Sequence, residues 1–459
     1  MKIDRIIAGV ILSLTLIVGA CHPTKNCLPP DLDLPGSING NSVDTVTFAD
    51  MQWWKFYTDS ALTHIIEETL EHNRDFLTAA ARVEQLRALY GVEKLNMTPT
   101  VTAQVYGNNE TNDYYGEPHM NDPEYGAKAS LNWEIDLWGG LRKRRSKAGN
   151  LYRASVEDMR AMKITLIAEV ATAYFRLLAL DNELAIVRRT LFTREESAKK
   201  AKLRFEGGLT SETVYQQAQV EYATTAALIP GLERNIEVQR NAIELLMGRF
   251  PGGEVERGQM LFERDSIADV PMGVPSQLMQ RRPDIAAAEA RLKAALDNVG
   301  VVYADRFPRL SIGLTGGVEN DEIKGLFNSP FTFVVGQVSG TLLDFGRRKR
   351  QHRAAVAEYD QARLAYEKCV LTAFHEVDDA AITFSHVREA AARRHELLKA
   401  AQKYTQLAYA QYNAGAINYI DVLDASRRYF DAQIGMNNAV LSEYLALVNL
   451  YKVLGGGWR

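Results

Sequence analysis

At 459 residues the chain is long enough for two or three ordinary domains, and a formal charge of −4 leaves no basic field of the kind that holds nucleic acid. Charged residues make up 24% of it, which suits long helices exposed to water. Eight scattered histidines, with no HExxH, no Walker glycine loop and no GxSxG, argue against an enzyme, and neither a cofactor nor a metal site is expected.

Lys2 and Arg5 precede an apolar run from Ile6 to Val18, too short for a spanning helix and suited to a secretory signal over residues 1–20. The run ends in Val18-Gly19-Ala20-Cys21, which resembles a bacterial lipobox, where the cysteine becomes the lipid-bearing first residue of the mature protein. An ordinary signal peptide with a cysteine close by reads the same way. His22 rather than Asp follows Cys21, and by resemblance to bacterial lipoproteins this favours the outer membrane. Residues 21–47, rich in Pro, Asp, Ser and Asn, read as an extended tether. The two remaining cysteines, Cys27 in this tether and Cys369 in a long helix, suggest no disulfide framework.

Phe48 to Tyr57, with Trp53 and Trp54, is a short apolar segment that must pack somewhere. Asp59 is placed to cap helical material running to about Met97, with a break near Asn73. After Pro99 the period changes to two. Val101, Ala103 and Val105 alternate with polar residues in one strand, and Tyr125, Ala127, Ala129, Leu131, Trp133, Ile135 and Leu137 do so in another. The polar stretch from Gly107 to Glu124 is expected to join them as a long loop. Leu141 to Phe205 is a helix with its own seam, stopped by Gly207-Gly208. Ser211 can cap a return helix that Pro230-Gly231 kinks and Gly248 ends, and Arg249 to Gly273 connects onward.

Then the chain repeats itself. Pro308 follows Pro99 by 209 residues, Asp344 follows Asp136 by 208, and Gly415 and Gly455 follow Gly208 and Gly248 by 207. Landmarks that keep one offset argue for duplication. Leu310, Ile312 and Leu314 mark a third strand and Phe331 to Leu343 a fourth, in which Val334 and Val338 fall out of phase with Phe331 and Phe333, as a bulge would make them. Gly346 to Tyr412 is a proline-free helix with a heptad seam (Tyr359, Tyr366, Val370, Ala373, Val377, Ala380, Phe384), interrupted at Arg363. A turn at Asn413-Ala414-Gly415 leads to a last helix, Asn418 to Leu454. The domain plan is therefore signal 1–20, tether 21–47, first repeat 48–248, connector 249–275 and second repeat 276–459.

Strands with one apolar and one polar face usually cover a core, but here every helix is committed to a seam, which leaves lipid as the cover. In lipid a sheet must close, and four strands cannot; several chains must then share one barrel, with Lys128, Asn132, Glu134 and Asp136 facing a polar lumen. Basic clusters at Arg142–Arg145 and Arg347–Arg350 fall at helix starts, where anionic headgroups, solvent or a partner's carboxylates would compensate them.

One long motif is specific. Val274-Pro275-Ser276-Gln277-Leu278-Met279-Gln280-Arg281-Arg282-Pro283-Asp284-Ile285, continuing through Ala288-Glu289-Ala290-Arg291-Leu292, closely resembles the signature of the outer membrane factor lipoproteins, the NodT branch of the TolC family. The resemblance extends over nearly all of the chain after Cys21. It implies an α+β membrane protein, a homotrimer in which twelve strands close one outer membrane β-barrel continued by a periplasmic α-helical coiled-coil tunnel with an equatorial belt. Phe48 to Tyr57, Arg249 to Gly273 and the C-terminal tail belong to that belt. The implied role is the passive exit duct of a tripartite efflux pump, working with a periplasmic adaptor and an inner membrane pump. In some members the duct serves type I secretion.

The resemblance also carries a gate. Gly415-Ala416-Ile417-Asn418-Tyr419-Ile420-Asp421-Val422-Leu423-Asp424 matches the segment that closes the periplasmic mouth with acidic rings, which makes Asp421 and Asp424 the gate residues. A ring of like charge selects cations and raises local pKa values, whereas Asp421 alone also suits the first turn of the helix that follows. The family's lock of an arginine beside the second turn and an aspartate beside the first finds Ile417 and Val214 in those places, although Tyr412 and Thr213 fit the pattern. The reading from another class is a helical periplasmic scaffold lipoprotein that forms no channel. That explains the heptads but not alternating strands placed twice at one offset.

Overall fold

The computed structural model describes residues 27–32, 52–57, 59–112, 115, 120–259 and 275–456. Cys21, the signal segment, most of the tether and residues 260–274 of the connector lie outside these. Among the described residues the elements run α1 (Trp53–Phe56), α2 (Ser60–His72), α3 (Arg74–Leu95), β1 (Thr100–Asn112), β2 (Met120–Ile135), α4 (Gly140–Glu206), α5 (Glu212–Ala226), α6 (Ile229–Leu246), α7 (Pro275–Arg281), α8 (Pro283–Ala304), β3 (Arg309–Asn320), a 3-10 turn, β4 (Pro330–Ser339), α9 (Arg347–Asn413) and α10 (Tyr419–Val453). Helices α4 and α9 are 67 residues each. The chain divides into two compact units, one drawn from Met1–Leu32, Arg82–Val156 and Ala287–Lys368, the other from Asp33–Ala81, Glu157–Ala286 and Cys369–Arg459.

In the first unit the four strands form an antiparallel meander in the order β1-β2-β3-β4, so β1 and β4 each pair on one side only. Leu131, Leu314 and Val334 line up with Val101 across the sheet, and Trp133 with Ile312. This face is apolar and open, with Val105 84% and Val338 70% exposed. The opposite face carries Thr102, Gln104, Lys128, Ser130, Asn132 and Thr315, with the Ser130 and Thr315 hydroxyls 2.9 Å apart.

Three sequence expectations are corrected here. The loop expected over Gly107 to Glu124 is mostly ladder: β1 and β2 stay paired from Gly107↔Tyr125 to Asn112↔Met120, leaving only residues 113–119 between them. Polar composition reports what surrounds a strand, whereas the ladder is held by backbone. No bulge interrupts β4, since its pairing with β3 is unbroken from Arg309↔Ser339 to Val318↔Pro330. Phe331, Phe333 and Val335 therefore stand on the polar face. Asp136 lies beyond the end of β2 and caps α4 instead of facing along a strand, accepting from Leu141 N and Arg142 N, both at 2.9 Å.

Asp344, its counterpart 208 residues on, accepts from Gly346 N at 3.0 Å and Arg348 N at 3.2 Å at the start of α9. These caps, with Lys143–Asp297 at 2.8 Å and Arg144–Asp305 at 2.9 Å, compensate basic residues at the helix starts from within the chain. The Gly346 and Arg348 N–H groups, aided by the Arg348 guanidinium, hold the Asp344 carboxyl below its ordinary value. A depressed folded value means that the cap's contribution is complete above the usual carboxylate pKa of about 3.9 and is lost as pH falls through the lowered one. Asp344→Asn is accordingly expected to flatten part of the acid limb of a thermal-stability profile below about pH 4. An acid limb identical to wild type would remove the cap's role.

The second unit has its core where the middle of α4 meets α1, α2, α6 and the end of α10. Leu62, Ile66, Tyr174, Leu177, Leu178, Ile243 and Leu450 are fully buried there. Burial of α4 is wider than one heptad seam: Ile167, Ala171, Tyr174 and Leu178 are covered as well as Val170, Ala173 and Leu177. Trp53, Tyr57 and Val255 join the same cluster, as does Leu454 at the end of α10. Tyr174 ties them: its hydroxyl donates to Asp59 Oδ2 at 2.7 Å and accepts from Gly258 N at 2.8 Å. Asp59 caps α2 through Ala61 N, and Asn73 marks the break before α3. The return helix after Ser211 breaks at Ala227-Leu228, so that Pro230 falls in the first turn of α6, where its missing N–H costs nothing.

Glycines at positive φ recur at the 207-residue offset: Gly139 and Gly346 (77° and 83°), Gly208 and Gly415 (70° and 75°), Gly248 and Gly455 (71° and 79°). Duplication thus extends to backbone conformation. Among the described residues no helix is long and apolar enough to cross a membrane.

Candidate functional site

The two hairpin turns are built alike. At the first, Leu209 N reaches back to Arg204 O at 2.8 Å and Gly208 N to Phe205 O at 2.9 Å; at the second, Ala416 N bonds Gln411 O at 2.9 Å and Gly415 N bonds Tyr412 O at 3.0 Å. This is the six-to-one closure that ends a helix on a left-handed glycine. Gly207, just before Gly208, closes the last helical turn by donating to Leu203 O at 3.0 Å. Nothing lies within 4 Å of where a Cβ would sit at Gly208 or Gly415, so a side chain there strains only the backbone. Gly208→Ala and Gly415→Ala are each expected to cost about 1–2 kcal/mol, read as faster amide exchange confined to the turn. Unchanged exchange would show that the turn does not need glycine.

Asp421 is the third residue of α10 and closes a capping box: Asn418 N donates to its Oδ2 at 3.1 Å, and the Asn418 side chain accepts from the Asp421 N–H. Asp424, one turn on, accepts from Arg427 at 2.8 Å and Arg428 at 2.7 Å. Those two guanidiniums, Arg428 first, lower its pKa. Within one chain the shift is therefore opposite to the one expected of a ring of bare carboxylates. The spacing of three and four residues was the signal that sequence reasoning passed over.

Ile417 does not stand in for an ionic lock. It packs with Tyr409, Tyr412 and Tyr419 against a small buried cluster of Ala408, Val422 and Ala425. Tyr412 and Tyr419 have ring centroids 5.3 Å apart. Arg204, two residues before the end of α4, donates to the Tyr412 hydroxyl at 2.6 Å and lies 5.4 Å from its ring centroid, joining the two hairpins. Higher up, Arg194 bonds Glu221 at 2.9 Å and faces the Phe430 ring at 5.2 Å, beside a cavity of about 260 Å³ between the hairpins. Val214 lies in the first turn of α5.

The signature motif has a structural role. Pro275 and Pro283 open α7 and α8, and Arg282, 9% exposed, donates to Asp284 at 2.7 Å, to Glu376 at 2.6 Å and to Val453 O at 3.0 Å. Glu376, 44% exposed, keeps its solvated face and lends one carboxylate oxygen to the buried Arg282. Among the described residues no group of three or more His, Cys, Asp or Glu is placed to hold a metal ion.

The profile of the family described as outer membrane efflux protein matches residues 65–249 and 274–456. The chain is 32% identical over 411 residues to the solvent efflux pump outer membrane protein SrpC of Pseudomonas putida, covering 88% of this chain and 87% of that one. It is 30% identical over 471 residues to outer membrane protein OprJ of Pseudomonas aeruginosa, covering 98% and 96%. Among solved structures, the outer-membrane channel OprN superimposes with a TM-score of 0.85 at 28% identity, covering 94% of this chain and 99% of that one. The open state of the Neisseria gonorrhoeae MtrE channel gives 0.83 at 27% identity, covering 94% and 97%. These relatives are channels rather than enzymes, and two profile matches spanning most of the sequence leave one conclusion: the chain belongs to the outer membrane efflux protein family.

Proposed function

We propose that three copies of this chain form the passive outer membrane exit duct of a tripartite efflux pump that exports small molecules, and that catalysis and energy come from elsewhere in the assembly. The observation that carries this reading is the sheet: one face is apolar and open, the other polar over β1 to β3, and both edge strands have a free side. In lipid those edges must be paired, and three meanders of four strands close without an edge. Aromatic residues where strands give way to helices suit the membrane boundary. Trp138 stacks on Phe307 with centroids 4.6 Å apart and donates to Pro308 O at 2.7 Å, while Phe345, 207 residues after Trp138, is 95% exposed.

In this reading residues 48–248 and 276–459 are the two repeats, 249–275 joins them, and 21–47 tethers the duct to lipid through Cys21. Asp421 and Asp424 form the periplasmic gate. An adaptor and an inner membrane pump complete the path. Relatives named for solvent, toluene and antibiotic efflux and for pyoverdine export favour small molecules over protein secretion.

The test is purification from outer membrane fractions. Heat-resistant trimers that conduct in planar bilayers are expected. A soluble monomer after signal removal, without conductance, would leave a periplasmic scaffold as the better account.

A further inference from the structure

β4 puts apolar rings where the rest of the sheet is polar. Gln104, Lys128, Gly317 and Phe331 form one row across four strands, and Thr102, Ser130, Thr315 and Phe333 the next. The Phe331 and Phe333 rings are 5.9 Å apart with planes 14° from parallel, and Phe333 is 49% exposed. Across the sheet on β1, the Tyr106 ring covers Gly126, so close that a Cβ there would clash with Tyr106 Cζ. Its hydroxyl lies 2.6 Å from a Glu319 oxygen and 3.2 Å from Glu124 Oε1. One phenolic proton cannot satisfy two carboxylates, and the shorter contact takes it. The Lys128 ammonium is 4.7 Å from the Tyr106 centroid and supplies one positive charge against two negative ones. These six side chains border a cleft of about 800 Å³.

We infer that this cleft is a binding site for aromatic organic cations, an inference that rests on this face lining the duct. An excess of one negative charge beside exposed parallel rings suits a delocalised cation, which gains from ring faces and from carboxylates at once. A small inorganic cation must shed tightly held water to reach the phenyl faces, which a delocalised cation need not, and an aromatic anion meets Glu124 and Glu319. The duct would then slow and select amphiphilic cationic cargo rather than pass all solutes alike.

The probe is tetraphenylphosphonium, measured by equilibrium dialysis against the full-length protein in detergent. Saturable binding is expected, weakened about tenfold by Phe331→Leu with Phe333→Leu, which keep apolar bulk and remove the rings. Glu319→Gln is expected to weaken it several-fold, Phe333→Tyr to preserve it, and tetraphenylborate, of equal size and opposite charge, not to compete. Binding that is unchanged in the leucine variant, or matched by tetraphenylborate, overturns the site. If that variant fails to form heat-resistant oligomers, Glu319→Gln decides alone. Planar-bilayer conductance separates the two readings: current with variant-insensitive binding removes the site and leaves the duct, whereas variant-sensitive binding without current removes the duct and leaves the site.

Discussion

Arg282→Ala destabilises the second unit by about 2–3 kcal/mol, the largest single-residue effect expected outside the central core. Its guanidinium is one-tenth exposed and serves three acceptors on different elements: Asp284 at the start of α8, Glu376 in the middle of α9 and the Val453 carbonyl at the end of α10. Alanine takes the guanidinium from that carbonyl and from two carboxylates, of which Asp284 keeps the Ile285 N–H at 3.0 Å. Breaking a fully buried ion pair costs about 3–5 kcal/mol, but the Asp284 and Glu376 side chains are 39% and 44% exposed and water can reach them, which lowers the figure. Arg282→Lys is expected to recover less than half of the loss, because a single ammonium cannot present a planar fork to three partners. Denaturation in detergent measures the loss, and a double-mutant cycle with Glu376→Gln should return a coupling of about 1 kcal/mol or more. No coupling would make Arg282 a packing residue.

That residue also marks where sequence reasoning stopped. Pro275, Pro283 and Asp284 signal helix starts in the sequence itself, because proline and a first-turn carboxylate act on their own local backbone. Arg282 acts on Glu376, 94 residues away, and nothing local announces it. The same division runs through the fold. Heptads, the glycine turns and the period of two in β2 are local patterns, and they located both long helices, both hairpins and all four strands. Strand length and phase depend on a neighbour's register, so sequence alone suggests a loop for the polar half of β1 and a bulge in the regular β4. At the turns the acidic character of Asp421 and Asp424 is legible in the sequence, and the structure adds their partners. Asn418 and the Arg427-Arg428 pair convert two bare carboxylates into a cap and a three-charge cluster.

Those partners set the outcome expected when the gate is altered. Asp421, Asp424, Arg427 and Arg428 sum to zero within each chain, so Asp421→Ala with Asp424→Ala leaves two positive charges per chain and, in the proposed trimer, six around its mouth. Block by multivalent cations should weaken by about tenfold or more, and ion preference should move toward anions. Conductance should also rise, because loss of the capping box costs the first turn of α10 about 1 kcal/mol. The Asp424 carboxyl is held below its usual pKa by Arg428 and Arg427. It stays ionised as pH falls, so block in the wild type should persist to below about pH 4. The Arg204–Tyr412 latch gives the contrast. Tyr412→Phe with Arg204→Ala removes one link between the hairpins without touching an acidic residue, and should raise conductance while cation block persists. If both double variants change block and conductance alike, charge and latch act as one device. If the aspartate pair changes neither, Asp421 is only a helix cap, Asp424 only an arginine partner, and the mouth is held by its tyrosines.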